Sequence, residues 1–108
     1  MSAPTQTELP PFTREQAIRM LRLGEASPDS PFTHRQIARW CERFWCSYID
    51  VDVSPEFELL LSVLEDVDCQ WDLFLANTYP FEELRTMDLD LVSMPALWFS
   101  EWLRKLGV

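Results

Sequence analysis

A helical repeat of apolar residues between positions 37 and 48 constrains the fold of this chain more than any other feature. Its members are spaced three, one, three, one and three positions apart, which places them on one face of an α-helix: Ile37, Trp40, Cys41, Phe44, Trp45 and Tyr48. On the other side, an arginine stripe (Arg35, Arg39 and Arg43) recurs every four residues. The pattern predicts an amphipathic helix over about residues 34–48 with one face buried.

Two nine-residue segments twenty positions apart carry the same helix-start signal, PFTREQAIR from residue 11 and PFTHRQIAR from residue 31. In each, the threonine can act as the N-cap, and the glutamine three residues later can complete a capping box. A duplication could produce this likeness, but we favour the need of two helices for the same start signal. The first helix is predicted over about residues 14–23, with Gly24 as its C-terminal stop.

Three further helices follow from the remaining pattern. Ser54 and Pro55 predict the start of a third helix, whose apolar register continues to Leu75 and leaves open a break near Asp68. Pro80 ends that region, and a short fourth helix is predicted over Phe81 to Met87. The last helix is predicted over about residues 95–106.

Two short stretches depart from the helical period. Residues 49–53 (IDVDV) and 87–91 (MDLDL) alternate apolar and acidic side chains, which is the period of a strand. They can pair as a small ribbon or serve as extended links between helices, and we favour links. The fold class is therefore predicted as all-α, a small bundle of four to five helices with two short extended links. We expect a disordered N-terminal tail over residues 1–10 and a single helical domain over residues 11–108.

The charge of the chain is divided along its length. Residues 1–45 hold six arginines and five acids, whereas residues 46–108 hold thirteen acids and three bases, for a formal net charge of −9. Such a charge repels nucleic acid and anionic membranes and steers the molecule towards basic partners. The N-terminal sequence lacks the pattern of a signal peptide, and three scattered cysteines are typical of reduced thiols. We therefore expect a cytoplasmic protein that binds neither membranes nor nucleic acid directly.

The residues suited to chemistry are few, and no catalytic, cofactor-binding or metal site is predicted. Three Asp-x-Asp pairs (Asp50/Asp52, Asp66/Asp68 and Asp88/Asp90) lack the glycine-containing loop of a calcium hand. Cys41 and Cys46 are about 140° apart around a helix, which is unsuitable for zinc. The single histidine, His34, is expected to be solvated at its helix start. A helix-turn-helix interpretation is disfavoured because the connection from Gly24 to Phe32 exceeds the tight turn of that motif.

The aromatic content suggests association with another protein. Seven Phe, five Trp and two Tyr are many for a domain that buries only part of its surface, and Trp and Tyr often anchor interfaces. We therefore predict a homodimer or a partner complex. The interface candidates are five residues of the last helix and the arginine stripe, although the stripe is interpreted first as a solvated face: Leu97, Trp98, Phe99, Trp102, Leu103, Arg35, Arg39 and Arg43.

In its length, acidity, helix count and aromatic content, the chain resembles the small helical antiactivators of bacterial quorum sensing, of the QslA type. The resemblance depends mainly on the segments PFTREQAIRML and PFTHRQIARWCERFW and on the ending WFSEWLRKL. It implies a dimer that binds the ligand-binding domain of a LuxR-type transcription activator, blocks dimerisation of that activator and keeps it off DNA. It implies no catalytic residue and assigns no interface residue.

Three functional classes follow from the sequence. The first is a cytoplasmic regulatory protein that binds and inhibits another protein, as the resemblance implies. The second is an acidic immunity protein or DNA mimic that inhibits a toxin or a nucleic-acid-binding protein, with the thirteen acids after residue 45 as the working surface. The third is a small enzyme or a DNA binder. Wide apolar stripes interleaved with acids favour the first class.

Overall fold

The computed structural model describes residues 9–27 and 29–108, and within them the chain forms α-helices and no strand. The helices are α1 (Arg14–Glu25), α2 (His34–Cys46), α3 (Pro55–Thr78), α4 (Phe81–Leu84) and α5 (Ala96–Lys105). A single 3₁₀ turn (Leu89–Leu91) precedes α5. The predicted all-α bundle of four to five helices is confirmed. In these described ranges, none of the helices has the length and hydrophobicity needed to cross a membrane.

The predicted helix starts are confirmed by the caps. The side chain of Thr13 accepts a hydrogen bond from the backbone N–H of Gln16. At α2, Thr33 and Gln36 form both halves of a capping box, and at α3 the side chain of Ser54 accepts from the N–H of Phe57. Each cap satisfies a backbone donor that the first helical turn leaves without an intrahelical partner.

The helix ends differ from prediction, most clearly in α1 and α4, and α2 ends at Cys46, two residues before the predicted position 48. The predicted stop at Gly24 is wrong, because α1 continues through it to Glu25. Gly24 is buried against the ring of Phe99 in α5, and a Cβ at this position would overlap that ring. The glycine therefore permits close approach of two helices instead of ending one. The short helix α4 stops at Leu84, before the predicted Met87, whereas α3 runs without a break through Asp68.

The long helices form two antiparallel pairs, α1 with α5 and α2 with α3. At one end of the first pair, the Arg14 guanidinium donates to the carbonyl of Leu106 at 2.9 Å, and at the other end Gly24 meets Phe99. In the second pair, the ring of Phe57 lies 5.9 Å from that of Phe44. The fully buried aromatic side chains come from both pairs: Trp40, Phe44, Trp71 and Phe99. Each such burial contributes about 1.5–3 kcal/mol.

His34 is buried, so the expected solvated histidine is wrong. Its Nε2 lies 2.9 Å from the carbonyl oxygen of Gly24, and its Nδ1 accepts from the N–H of Met94 at 2.8 Å. The neutral ring with the proton on Nε2 satisfies both contacts, and burial lowers the pKa of His34. Since its two nitrogens are bonded to backbone groups, the side chain joins the end of α1, the start of α2 and the segment before α5.

The two acidic links form no ribbon in the described part of the chain. Residues 51–54 have no regular structure, and Asp50 has a φ of 64°. In the second link, Asp88 accepts from the N–H of Asp90. The Asp90 carboxylate in turn accepts from the Thr33 hydroxyl at 3.1 Å and lies 3.9 Å from Arg35. This link is therefore a 3₁₀ turn anchored to the start of α2.

The N-terminal segment reaches the core before α1 begins. Of the predicted tail over residues 1–10, residues 1–8 lie outside the described residues. The carbonyl of Pro10 accepts a hydrogen bond from Trp40 Nε1 at 2.8 Å. The ring of Phe12 lies 5.7 Å from Trp40 and 5.2 Å from Phe44. The chain therefore already contacts α2 at Pro10, the last residue of the predicted tail.

Candidate protein-docking surface

A groove of about 270 Å³ lies between α3 and α5, lined by Asp66, Gln70, Trp98, Glu101, Trp102 and Lys105. On α3, the row continues from Asp66 through Gln70 to Leu73, at spacings of four and three that keep one flank of the helix. On α5, Leu97, Glu101 and Lys105 form a matching row at spacings of four. We define the α3–α5 seam as the residues that line the groove together with Leu73, Phe74 and Leu97.

Two aromatic contacts fix the geometry of the α3–α5 seam. Trp102 Nε1 donates a hydrogen bond to Asp66 Oδ2 at 2.8 Å. Nearer the start of α5, the rings of Trp98 and Phe74 meet edge to face, with centroids 5.6 Å apart. Early residues of α5 therefore face late residues of α3, so the two helices are antiparallel. The indole of Trp98 stays only half-buried because it closes the groove from one side.

Both rows of the α3–α5 seam end in an exposed leucine at the end where Trp98 meets Phe74. Leu97 is 66% exposed and Leu73 is 51% exposed. At the opposite end of the same α3 flank, Leu59 is also exposed and lines a separate hollow of about 520 Å³ with Leu106. Exposed apolar groups beside a groove are typical of association surfaces, whereas single exposed leucines are common on any protein.

The structure divides the interface candidates of α5 into two groups. Phe99, Trp102 and Leu103 are buried. Phe99 packs on Gly24 and on the ring of His34, whose centroid is 4.6 Å away. These three side chains therefore stabilise the monomer and present little surface to a partner. Leu97 and Trp98 lie at the surface of the α3–α5 seam, and their interface role stays a prediction.

The arginine stripe of α2 is separate from the α3–α5 seam. Arg35 lies 3.9 Å from Asp90, and Arg39 lies 3.6 Å from Glu42 within its own helix. Both pairs are about half-exposed, so each contributes roughly 0–1 kcal/mol. Arg43 is exposed. The first interpretation of the stripe, a solvated helix face, agrees with these positions.

Sequence reasoning missed the α3 half of the docking surface. Asp66, Gln70 and Leu73 lie beside the apolar stripe of α3, at helical spacing on one flank. That spacing is visible in the sequence. The sequence does not show which helix packs beside this flank, because that depends on the pairing of α5 with the rest of the bundle.

The Asp66-Val67-Asp68 motif distributes its carboxylates between two flanks of α3. Two positions correspond to about 200° around a helix, so Asp66 reaches α5 while Asp68 reaches α2. There, Asp68 Oδ2 accepts from Trp45 Nε1 at 3.3 Å, and Val67 between them is fully buried. Within residues 9–27 and 29–108, no three His, Cys, Asp or Glu side chains are arranged to hold a metal ion.

In comparisons with protein-family models, curated proteins and solved structures, nothing matches this chain. The resemblance to quorum-sensing antiactivators therefore stays a prediction. In the α3–α5 seam, the exposed leucines Leu73 and Leu97 and the groove lie next to the carboxylates of Asp66 and Glu101.

Proposed function

We propose that this protein is a regulatory binding protein that inhibits another protein by covering part of its surface through the α3–α5 seam. The observation that carries the proposal is that Leu97 is exposed next to Trp98, a half-buried residue that lines the groove. Burial of exposed apolar area stabilises a complex by about 25 cal/mol per Å² before the costs of association. Contact with a partner therefore lowers the free energy of this surface more than contact with water does.

The chemistry of the α3–α5 seam favours an amphipathic helix as the bound element of the partner. A groove between two antiparallel helices accepts the apolar face of a third, which inserts anchors at helical spacing. Asp66 and Glu101 border the groove, and Lys105 supplies a positive charge at its far end. Since the net charge of the chain is −9, basic residues flanking the apolar face of the partner accelerate association.

The resemblance described above suggests the class of partner. An antiactivator of this kind binds the ligand-binding domain of a LuxR-type activator and prevents that activator from dimerising and binding DNA. It also suggests that this protein is itself a homodimer. Light scattering on the purified protein tests the dimer separately, and a single monomeric species that binds no protein contradicts both parts of the proposal.

The decisive experiment is affinity capture from the native cell extract with three baits: wild type, Leu97→Asp and Ile49→Asp. Ile49 is the matched control, because it is 54% exposed and lies in the link after α2. We expect a protein, identified by mass, that wild type and Ile49→Asp retain and that Leu97→Asp loses. Equal capture by all three baits, or no specific capture, contradicts docking at the α3–α5 seam.

The second candidate function is charge mimicry, and the outward side of α3 is the observation that favours it. Glu58, Glu65 and Asp72 are exposed there. Changing all three to amides separates the two functions. Apolar docking predicts that the partner is retained, whereas mimicry predicts that binding is lost and that it weakens steeply with salt.

A further inference from the structure

The seam between α2 and α3 holds an acidic cluster around a buried carboxylate. Asp68 is 6% exposed. Its Oδ2 accepts from Trp45 Nε1 at 3.3 Å, a long hydrogen bond. Its Oδ1 is buried and receives no hydrogen bond from any group in the described ranges. Buried polar atoms without partners are rare in folded proteins, and a carboxylate oxygen is among the most costly.

The charges around Asp68 make its position more unfavourable. Burial raises the pKa of Asp68, and the negative charges of Glu42 and Asp72 raise it further, against the Trp45 hydrogen bond and the positive charge of Arg39. That arginine also lies 3.6 Å from Glu42. Glu42 and Asp68 thus share one half-exposed guanidinium.

A fourth carboxylate extends the cluster. Desolvation raises the pKa of the Cys46 thiol, and the charges of Glu42, Asp68 and Glu65 raise it further. Cys46 is exposed and belongs to α2, whereas Glu65 belongs to α3, so the negative region spans both helices. We define the acidic cluster as Glu42, Trp45, Glu65, Asp68 and Asp72. It lies on the flank of α3 opposite the α3–α5 seam.

We propose that the acidic cluster binds an arginine side chain of a partner protein, which stacks on the indole of Trp45 and donates N–H groups to Asp68 and its neighbouring carboxylates. Arginine fits this chemistry better than lysine, because a planar guanidinium stacks on an aromatic face and donates to two acceptors at once. Because the Oδ1 atom is buried, the guanidinium reaches it only if a neighbouring side chain moves, and we expect that side chain to be Trp45, whose hydrogen bond to Oδ2 is long. The long hydrogen bond from Trp45 Nε1 to Asp68 Oδ2 is then replaced by hydrogen bonds from the guanidinium.

This second binding site is separate from the α3–α5 seam, but it shares Glu65 and Asp72 with the acids that the charge-mimicry alternative uses. The α3–α5 seam offers apolar edges and a satisfied Asp66–Trp102 hydrogen bond. The acidic cluster instead offers a half-buried indole and a carboxylate oxygen that has no donor among the described residues. Its ligand is a basic, exposed segment of a protein, not an apolar helix face.

The test follows the five tryptophan indole N–H signals of the ¹⁵N-labelled full chain by NMR. The Trp45 signal is assigned from its loss in Trp45→Phe. The probes are three acetylated, amidated peptides of glycine around one central arginine, lysine or citrulline. We expect a saturable shift of the Trp45 signal with the arginine peptide, a weaker one with lysine and none with citrulline, which keeps the shape of arginine but not its charge.

Two variants decide whether the binding belongs to Asp68. Asp68→Asn removes the buried charge with little change in shape, and we expect at least tenfold weaker binding of the arginine peptide. Asp66→Asn removes one charge from the opposite flank and is the matched control, with binding within about twofold of wild type. An unmoved Trp45 signal, equal shifts with citrulline, or undiminished binding in Asp68→Asn overturns the proposal. If Asp68→Asn unfolds, Glu42→Gln with Asp72→Asn replaces it and carries the same expectation.

Discussion

The two flanks of α3 carry the same pair of residue types in different states. Towards α5, Asp66 accepts the Trp102 indole N–H at 2.8 Å, and the tryptophan is buried. Towards α2, Asp68 accepts the Trp45 indole N–H at 3.3 Å, and there the aspartate is buried while the tryptophan is half-exposed. The Asp–Trp pair in which the tryptophan is buried therefore stabilises the fold. When the carboxylate is buried instead, one of its oxygens receives no hydrogen bond from the described residues.

The largest expected effect separates the two tryptophans. Trp102→Ala removes a buried indole from the core, so it lowers the free energy of unfolding by about 3–5 kcal/mol. Trp45→Ala removes a half-exposed indole and costs about 1–2 kcal/mol. Urea unfolding followed by circular dichroism measures both. Equal losses would show that the two pairs are energetically alike.

Substitutions of the two aspartates provide the second test, and we expect them to change the free energy of unfolding in opposite directions. Asp66→Asn weakens the charge-assisted bond to Trp102 and destabilises the protein by about 1 kcal/mol at pH 7. Asp68→Asn removes a buried, poorly paired charge and stabilises the protein by about 1 kcal/mol. The same urea titrations apply. Destabilisation by Asp68→Asn at neutral pH would mean that the ionised carboxylate is well satisfied.

The third test uses pH to isolate Asp68. Because its pKa is raised in the folded state, the folded protein binds this proton more tightly than the unfolded chain. The stability of wild type relative to Asp68→Asn therefore rises as pH falls through the folded pKa, and it levels off below the unfolded value of about 3.9. Unfolding titrations of both proteins between neutral pH and pH 4 measure the difference.

His34 has the opposite pH dependence and serves as the internal check on that measurement. Burial lowers its pKa, so the unfolded chain binds the proton more tightly. Both proteins then lose stability as pH falls below the unfolded histidine value of about 6.5, until the folded pKa is reached. The loss is common to wild type and Asp68→Asn, so it cancels in their difference. His34→Gln should diminish this loss.

The smallest expected effect on stability is at the α3–α5 seam surface. Leu97→Asp changes the free energy of unfolding by no more than about 0.5 kcal/mol, because the side chain is mostly exposed. The same substitution is expected to abolish partner capture. Thermal unfolding of the purified variant measures the first effect. A loss of several kcal/mol would place Leu97 in the core and remove it from the docking surface.

Local signals predicted the helix starts well, because a cap is made by residues within four positions of one another. Thr13, Thr33 and Ser54 all cap as their sequences indicate. The predicted end of α1 was wrong because it depends on a residue that is distant in the chain. Gly24 looks like a stop signal, but it is a glycine because Phe99, 75 positions away in the chain, occupies the space of a side chain.

The candidate site was only partly predictable from sequence. Trp98 and Phe99 are adjacent aromatic residues on one helix, and both fit an apolar arc, yet one borders the groove and the other is fully buried. The distinction depends on where α1 packs against α5, which no local pattern of α5 contains. The pairing of Asp68 with Trp45 likewise depends on the register between α2 and α3.

The pairing of α1 with α5 has a consequence for the order of folding during synthesis. The contact between Arg14 and Leu106 joins positions that are 92 residues apart, whereas α2 and α3 are neighbours in the chain. Contacts between distant segments form late, because the intervening loop must be closed first. The α2–α3 hairpin can therefore assemble on the ribosome, while the part of α1 that packs on α5 stays exposed until α5 emerges. During that interval, the nascent chain depends on chaperones more than the finished protein does.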